Sequence, residues 1–190
     1  MLFNIFNIKK YIKTFKKIFN KKKGFNLYIT NNINKISKID KIILYSNYNI
    51  NYIINKLKIK NFFLKNINLP ILAISTGLNI LCKKYKNINC LNIFKNIIVN
   101  KLYKKNKNKN KIYHNNDDVI FKNFKKKYFY QNFNNKYYIN IGKYTIAHTN
   151  YILSYSAILK KNNIYGLQFD PIISGKIGEK IILNFIKYVK

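Results

Sequence analysis

Two short segments of the chain bring together residue types from which a catalytic site could be built. In the first, LPILAISTGLNIL at 69–81, a continuous apolar run ends at Ser75, and Gly77 follows two residues later. A strand that turns sharply into a helix through small residues forms a nucleophile elbow, which exposes one side chain at the carboxyl end of the strand. Ala73 and Gly77 allow the close backbone approach that this turn needs. An alternative interpretation is an ordinary strand–helix link in which Ser75 is the N-cap.

The second segment is GLQFDPIISGKIGEKIILNF at 166–185. It has the frame of an active-site turn: a strand ends at 168–171, and a closing helix follows with Ser174 as its predicted N-cap. Asp170 and Ile172 stand where such a turn usually carries a working His and Glu. The segment therefore predicts the shape of a catalytic turn without its usual reacting groups.

The elements around both segments predict an α/β fold. Up to residue 85, apolar runs and helical spacings alternate in a β-α-β-α-β-α order with short links. Segment 101–118 is predicted to be a polar loop, and the runs after it are predicted to be antiparallel or mixed strands. The predicted strands are 2–8, 25–30, 40–46, 69–75, 127–133, 136–141, 143–151, 155–159 and 164–169, and the predicted helices are 9–22 with Gly24 at its C-cap, 49–58, 76–85 and the helix from Ser174.

The charge of the chain is extreme, but its composition indicates a mutational cause. The formal net charge is +32, and all 37 basic residues are Lys. A charge of this size usually indicates nucleic acid or a membrane surface as the partner. Arg, which binds phosphate bidentately, is absent, and Lys, Asn, Ile, Phe and Tyr are the amino acids of A+T-rich codons. We therefore attribute the charge mainly to an A+T-rich genome and expect no nucleic-acid or membrane partner.

The cysteines and the apolar runs exclude several other classes of protein. Cys82 and Cys90 lack the spacing of a metal or redox motif, so we predict free, mostly buried thiols in a reducing compartment. No uncharged apolar run is long enough to span a bilayer. The sequence therefore predicts a cytoplasmic protein without a metal or a cofactor.

Together the two segments resemble the class I glutamine amidotransferases, and more narrowly the glutaminase subunit of imidazole glycerol phosphate synthase. That family has K-P-x-L-G-I-C-L-G-M-Q-L-L at its elbow and G-V-Q-F-H-P-E-K-S-G-x-x-G at its second segment. Weaker matches follow in the same order at IDKIILYSN, IYHNND with His114, YFYQNF, and IAHTNY with His148 at a non-catalytic position. The resemblance implies one amidotransferase domain over 1–190. Its sheet would be flavodoxin-like and mostly parallel, flanked by helices, with additional antiparallel or mixed strands in the C-terminal half.

The resemblance places Ser75, Asp170 and Ile172 at the catalytic positions, where the family has Cys, His and Glu. A hydroxyl without an adjacent base is a poor nucleophile, and an ionised carboxylate is badly matched to proton transfer near neutral pH. An isoleucine cannot orient a base, and the oxyanion strand has lost its glycines at 45–48. We therefore expect glutamine hydrolysis to be lost. The substrate-binding positions that the resemblance implies are Thr76, Gly77, Asn79 and Gln131.

The resemblance also implies a partner. In this family the glutaminase passes ammonia to a (β/α)₈ cyclase subunit of histidine biosynthesis. We expect this chain to form a heterodimer with the cyclase and to stabilise it, with free ammonia as the nitrogen source. Glutamine is expected as a ligand only if some binding remains.

A serine hydrolase of the α/β type is the first alternative. Ser75, Asp117 or Asp118, and His148 occur in the chain order of that class. This alternative requires His148 to lie within hydrogen-bond reach of Ser75.

A basic nucleic-acid-binding protein is the second alternative. It is suggested by the interleaving of Lys with Tyr and Phe along the chain. Only 101–111 and 122–127 concentrate lysine, and a solvated surface explains both runs equally well.

Overall fold

The first part of the molecule is a parallel sheet with helices between its strands, as the sequence predicts. The computed structural model describes residues 2–4, 9–20, 27, 29–30, 39–46, 49–56, 59–115 and 117–190. Predictions for 5–8, Gly24, and most of 25–28 lie outside these residues. The strands are β1 Leu2–Asn4, β2 Ile29–Thr30, β3 Ile42–Ser46 and β4 Ile71–Ser75, and the helices are α1 Lys9–Asn20, α2 Ile50–Lys56, α3 Ile59–Lys65 and α4 Thr76–Leu81.

Two helices differ from the prediction. The sequence did not predict α3, whose seven residues are too few to give a clear periodic signal. The helix predicted over 76–85 ends early, at Leu81, because Cys82 is extended and the Lys83 N–H donates to the carbonyl of Ile97 at 2.8 Å. Strand pairing thus replaces the last helical turns.

The second part of the chain is mostly antiparallel strands, and the five predicted runs are confirmed as strands. A further pair of strands lies where the polar loop at 101–118 was predicted, so that prediction is wrong. The elements are β5 Lys84–Tyr85, β6 Ile88–Asn89, β7 Ile98–Asn106, β8 Lys109–His114, β9 Tyr128–Asn132, β10 Asn135–Tyr138, β11 Thr145–Asn150, β12 Ser154–Lys161, β13 Ile164–Leu167 and the closing helix α5 Gly175–Tyr188.

Asparagine is the reason that the strands β7 and β8, which belong to different sheets, were missed. Leu102 and Asn106 are buried on β7, and Asn110, Ile112 and His114 are buried at alternate positions on β8. On β8 the pattern has the period of two that defines a half-buried strand, but an asparagine occupies part of it, and the buried positions of β7 do not alternate. The Asn106 amide donates to the hydroxyl of Tyr155 at 2.8 Å, so a polar residue fills a core position.

Within the described residues, nine strands form one mixed sheet in the order β2-β1-β3-β4-β13-β12-β11-β8-β9. The strands from β2 to β13 are parallel to their neighbours, and those from β12 to β9 are antiparallel. A smaller sheet has the order β10-β7-β5-β6. The predicted α/β class with a parallel centre and antiparallel strands at one side is confirmed.

Apolar side chains cover both faces of the large sheet. On one face, α1 and α5 pack through residues such as Phe15, Phe185 and Ile181 against Leu72 and Ile74. On the other face, α2, α3 and α4 pack against Ile71 and Ala73 of the same strand. Burial of β4 on both sides explains its uninterrupted apolar sequence. None of the helices in the described ranges has the length and apolar run that a membrane crossing requires.

The carboxyl ends of three central strands meet at one edge of the sheet. Tyr45 of β3 and Leu167 of β13 both lie opposite Ile74 of β4. Ser75 and Gln168 are each the next residue along their strands, so both segments singled out in the sequence converge here. Ligands of open α/β sheets bind outside this edge.

Candidate functional site at the carboxyl edge of the sheet

Ser75 occupies a strained elbow between β4 and α4. Its backbone angles are φ 54° and ψ −117°, a region that costs a non-glycine residue about 1–3 kcal/mol. Its side chain makes no capping hydrogen bond to α4, so the interpretation of Ser75 as a simple N-cap is wrong. The elbow predicted from the sequence is present, with a hydroxyl where the family has a thiol.

Gly77 is required by the close approach of α4 to β3. A Cβ atom at this position would lie 2.3 Å from the backbone carbonyl oxygen of Leu44. A real Cβ cannot come so close to a backbone atom without displacing it. Gly77 therefore allows α4 to pack directly against the backbone of β3 at the elbow.

The carboxylate of Asp170 is held by the turn in which it lies. Its Oδ2 atom accepts a hydrogen bond from the Tyr45 hydroxyl at 3.0 Å, and its Oδ1 atom accepts one from the backbone N–H of Ile172 at 2.9 Å. The Tyr45 side chain is almost fully buried on β3. Asp170 thus connects β3 to the second segment, a structural task that uses both carboxylate oxygens.

Ser174 fastens the same turn with its side chain. Its hydroxyl donates to the carbonyl of Asp170 at 2.6 Å and accepts from the backbone N–H of Asn132 at 3.0 Å. No side-chain capping bond to α5 is present. Ser174 is the N-cap residue of α5 as predicted, but its hydroxyl bonds to the turn and to β9 and not to the backbone of the helix.

Ile172, the third position that the resemblance assigns to the catalytic set, contributes packing. Its partly buried side chain lies against the core cluster that contains Phe185 and Ile74. Gly178 allows the turn to lie this close to α5, because a Cβ there would be 1.8 Å from the carbonyl oxygen of Pro171. The turn is thus packed against the core and is joined to β3 by the hydrogen bond between Asp170 and Tyr45.

A cavity of about 210 Å³, here called the edge cavity, opens beside Ser75. Of the predicted substrate-binding residues, Thr76 and Asn79 line it, whereas Gly77 is packed against Leu44 of β3 and is not part of the lining. Gln131 does not: it is completely buried on β9, with an amide that has no hydrogen-bond partner among the described residues. The lining residues are Ser75, Thr76, Asn79, Tyr85, Lys105, Asn134, Asn135, Lys136, Tyr137 and Gln168.

Sequence reasoning missed seven of the ten lining residues. Lys105 lies on β7, inside the segment predicted to be a loop, and Lys136 and Tyr137 lie on the paired strand β10. The rings of Tyr85 and Tyr137 are 4.7 Å apart and form one wall. Only the pairing of these strands brings their residues to the end of β4, and no local pattern in the sequence encodes it.

His148 lies far from Ser75. It is on β11, three strands away from β4 in the sheet order, which is about 14 Å at the usual spacing of about 4.8 Å per strand. Its ring stacks on that of Tyr113 at 5.4 Å. The serine-hydrolase alternative, which requires a hydrogen bond between His148 and Ser75, is therefore wrong.

Asp118 has a structural role as well. It accepts from the Lys160 ammonium at 2.6 Å, from the Tyr165 hydroxyl at 2.9 Å and from the Ile120 N–H at 3.0 Å. Asp117 is exposed in the preceding turn. Neither acid contacts His148 in any hydrogen bond of the described residues.

His114 is a core residue. Its ring stacks on Phe121 with centroids 4.0 Å apart, and its Nδ1 lies 3.2 Å from the carbonyl oxygen of Asn115. Burial lowers the pKa of His114, against smaller opposing effects of backbone hydrogen bonds. Its neutral form is therefore the one that the fold favours.

The two cysteines are free, as predicted. Cys82 is buried and Cys90 is half-buried, and burial raises the pKa of the Cys90 thiol to about 11. Among the described residues there is no group of three or more His, Cys, Asp and Glu side chains that could hold a metal ion. Both thiols are therefore in their unreactive protonated form near neutral pH.

Relatives of this chain place it in a family. No family model matches it. It is 33% identical over 178 residues to the imidazole glycerol phosphate synthase subunit HisH of Buchnera aphidicola subsp. Schizaphis graminum, covering 88% of this chain and 89% of that protein. The chain belongs to the HisH family. The HisH subunit of Bacteroides fragilis is 34% identical over 134 residues, covering 66% of this chain and 67% of that protein.

Solved structures of other amidotransferases share the fold of this HisH-family chain. The structure of PurLQS from Thermotoga maritima superimposes with a TM-score of 0.75 at 15% identity, covering 100% of this chain and 98% of that chain. A glutamine amidotransferase from the same organism gives a TM-score of 0.64 at 12% identity, covering 97% and 81%. The predicted resemblance to class I glutamine amidotransferases is confirmed.

Proposed function

We propose that this HisH-family chain is the amidotransferase subunit of an imidazole glycerol phosphate synthase, that it no longer hydrolyses glutamine, and that it docks on and stabilises a (β/α)₈ cyclase subunit. The relatives named HisH support the first part. The proposal includes a single domain over 1–190, a cytoplasmic heterodimer that uses free ammonia, and an A+T-rich genome as the source of the lysines.

The observation that carries the loss of hydrolysis is the state of Asp170. An ionised carboxylate is badly matched to proton transfer near neutral pH, and this one is held in its turn by the hydrogen bonds that it accepts from Tyr45 and Ile172. Ser75 replaces the thiol of the family and has no histidine within reach. Removal of a general base costs about 10²–10⁴ in rate, and removal of an oxyanion donor about 10²–10³. Together the two losses should lower the rate of glutamine hydrolysis by a factor of at least about 10⁴.

The docking role is supported by what remains at the carboxyl edge. The elbow at Ser75 and the turn at 170–174 keep their shape, and two apolar side chains beside that turn face solvent. Ile173 is 41% exposed and Ile177 is 39% exposed. Lys176 between them is exposed as well. An apolar centre with a charged rim is the usual anatomy of a protein interface.

Two assays test the proposal on the full chain with the cyclase from the same genome. We expect no glutamate release from glutamine above background, alone or in the complex, and unimpaired cyclisation with ammonia. Glutamine turnover at an ordinary rate, on the order of 1 per second, would show that the chemistry is intact and refute the loss.

Docking is tested by co-elution and by variants of the apolar pair. Ile173→Ser with Ile177→Ser should weaken binding of the cyclase at least about tenfold, as loss of an interface centre does. Leu64→Ser is the matched control, because Leu64 is 58% exposed on α3, which leads to the opposite edge of the sheet. Separate elution of the two proteins, with cyclase stability unchanged, would reject the docking role.

A further inference from the structure

The antiparallel end of the large sheet carries aromatic rings and lysines on its outer face. Ile112 of β8 and Phe129 of β9 are buried in the core that α5 covers. Successive side chains of a strand point to opposite faces, so the residues that alternate with these two lie on the other face, where they are partly or fully exposed. Together with His148 of β11, we call them the tyrosine–lysine face, and they are Lys109, Lys111, Tyr113, Tyr128 and Tyr130.

Strand pairing arranges three rings of the tyrosine–lysine face in a row. Tyr113 lies opposite Tyr128 on one side and opposite His148 on the other. The rings of Tyr113 and His148 are nearly parallel, with an interplanar angle of 18° and centroids 5.4 Å apart. At the usual spacing of about 4.8 Å between strands, the row is about 10 Å long. Beside it, Tyr130 adds a ring that is 45% exposed.

The lysines of the same face hold their charge against these rings. The Lys111 ammonium lies 3.9 Å from the ring centroid of Tyr128 and 4.9 Å from that of Tyr113. The Lys109 ammonium lies 5.9 Å from the ring centroid of Tyr130. Cation–π attraction favours an ammonium in such a position. None of the five acidic residues of the chain lies on β8, β9 or β11, so the positive charge of the face meets no carboxylate on its own strands.

This combination of groups limits the kind of partner. Ammonium groups attract a polyanion, and aromatic rings on a sheet stack with bases whose faces are uncovered. Bases inside a duplex are stacked on one another and offer only their edges, whereas single strands can place a base on a side-chain ring. An acidic protein surface would use the lysines but not the rings. A second copy of the chain would bring the same positive charge and be repelled.

We propose that the tyrosine–lysine face binds single-stranded nucleic acid without sequence preference, an activity that goes beyond the proposed function. Tyr113, Tyr128 and Tyr130 would stack with bases, and Lys109 and Lys111 would contact phosphates. From the sequence alone we expect no such partner, because lysine and tyrosine are spread along the whole chain. An A+T-rich genome would set the number of lysines, but only the pairing of β8 with β9 and β11 places them among rings.

Binding is tested with a fluorescent oligothymidylate of about 15 nucleotides, near the upper size of such sites. In anisotropy titrations of the full chain at about 0.15 M NaCl, where charges are screened beyond about 8 Å, we expect the single strand to bind at least about tenfold more tightly than a duplex of equal length. Polyglutamate, which has charge without bases, should compete at least about tenfold more weakly than unlabelled oligothymidylate. Equal binding of the duplex would reduce the effect to the net charge of +32 and overturn the proposal, and equal competition by polyglutamate would overturn it in favour of an acidic protein.

Variants that remove rings and keep every charge locate the contact. Tyr113→Leu with Tyr128→Leu should lower oligothymidylate affinity at least about tenfold, because each stacked base contributes about 1–3 kcal/mol. Tyr103→Leu is the matched control, because Tyr103 is fully exposed on β7 in the smaller sheet, and its affinity should not change. Unchanged affinity in a double variant that unfolds at the temperature of the parent would overturn the proposal.

A lysine pair decides the question if the tyrosine pair lowers the unfolding temperature. Lys109→Gln with Lys111→Gln should lower oligothymidylate affinity at least about tenfold and reduce the dependence of affinity on salt, because fewer phosphates are neutralised. Full affinity in this variant would also overturn the proposal. Ile173→Ser with Ile177→Ser, which tests cyclase docking, should bind oligothymidylate as the parent does. Loss of binding in that variant would place the contact at the carboxyl edge and overturn this inference, whatever the cyclase does.

Discussion

At the scale of single residues, Asp170 has a structural role at the position that the resemblance assigns to a catalytic base. The carboxylate ties the second segment to β3 through the Tyr45 hydroxyl and closes its own turn through the N–H of Ile172. Both bonds need an acceptor atom, and the carboxylate supplies two, whereas a neutral imidazole supplies one. Asp170 thus joins the turn to β3.

The contribution of the hydrogen bond between Tyr45 and Asp170 to the free energy of unfolding can be measured by a double-mutant cycle. Tyr45→Phe should cost about 1–2 kcal/mol of unfolding free energy, because a hydrogen bond to a charged group is lost, and Asp170→Ala should cost more. The double variant should be less destabilised than the sum of the two single variants, by about 0.5–3 kcal/mol. Additive effects in urea unfolding would show that the bond contributes nothing.

His114 should make stability depend on pH. Burial lowers its pKa in the folded chain below the ordinary value of 6.5. The unfolded chain therefore binds the proton first as the pH falls, so this contribution to stability is complete above about pH 7 and is lost below about pH 6.5. Between pH 7.5 and 5.5, the unfolding temperature of His114→Phe should therefore fall less than that of the parent chain. His148→Asn, on the surface beside Tyr113, is the control, and an unchanged pH profile in His114→Phe would contradict the assignment.

At the scale of elements, two glycines decide how closely helices approach the edge. Gly77 brings α4 against β3, and Gly178 brings α5 against the turn at Pro171. In both places the neighbour is backbone, which cannot rotate away as a side chain can. These glycines therefore belong to the frame of the site.

Gly178→Ala should therefore destabilise the chain by about 1–3 kcal/mol or more, the usual cost of overpacking. Its Cβ would lie 1.8 Å from the carbonyl oxygen of Pro171, whereas a Cβ at Gly142 would have no atom within 4 Å. Gly142→Ala is the matched control and should be close to neutral. Equal urea midpoints for the two variants would show that the turn moves freely.

At the scale of the whole molecule, the net positive charge lowers the stability of the fold. The formal net charge is +32, and the ion pair between Lys160 and Asp118 is the only one among the described residues. Lysine ammonium groups instead lie over aromatic rings, as Lys111 does over Tyr128 at 3.9 Å. Repulsion between so many like charges lowers the stability of a compact state.

Added salt should stabilise this chain. Salt reduces the screening length from about 10 Å at 0.1 M to about 3 Å at 1 M, so the repulsion between lysines weakens while few attractive pairs are lost. We expect the unfolding temperature to rise as NaCl is increased from a low concentration to about 0.5 M, because the screening of the lysine charges becomes stronger over that range. An equal osmolality of glycerol serves as the control for effects other than charge, and a fall in unfolding temperature with NaCl would contradict the prediction.

The sequence by itself determined the parts of this protein that depend on neighbouring residues. The apolar run of β4, the small residues at the elbow, and the turn before α5 each follow from local patterns, and they suffice to predict the fold class and the family. The replacements at Ser75, Asp170 and Ile172 are equally visible in the sequence. Short-range steric and hydrophobic preferences encode all of these features.

Only the tertiary structure decided what those residues contact. The partner of Asp170 is Tyr45, 125 residues away, and the partner of Asn106 is Tyr155, 49 residues away. Asparagine is common in loops, so β7 could not be recognised as a strand until a distant hydroxyl bonded its buried amide. Lys105 and Lys136 reach the edge cavity through the pairing of β7 with β10. Strand pairing and buried hydrogen bonds join residues that are distant in the chain, and no pattern within one segment carries that information.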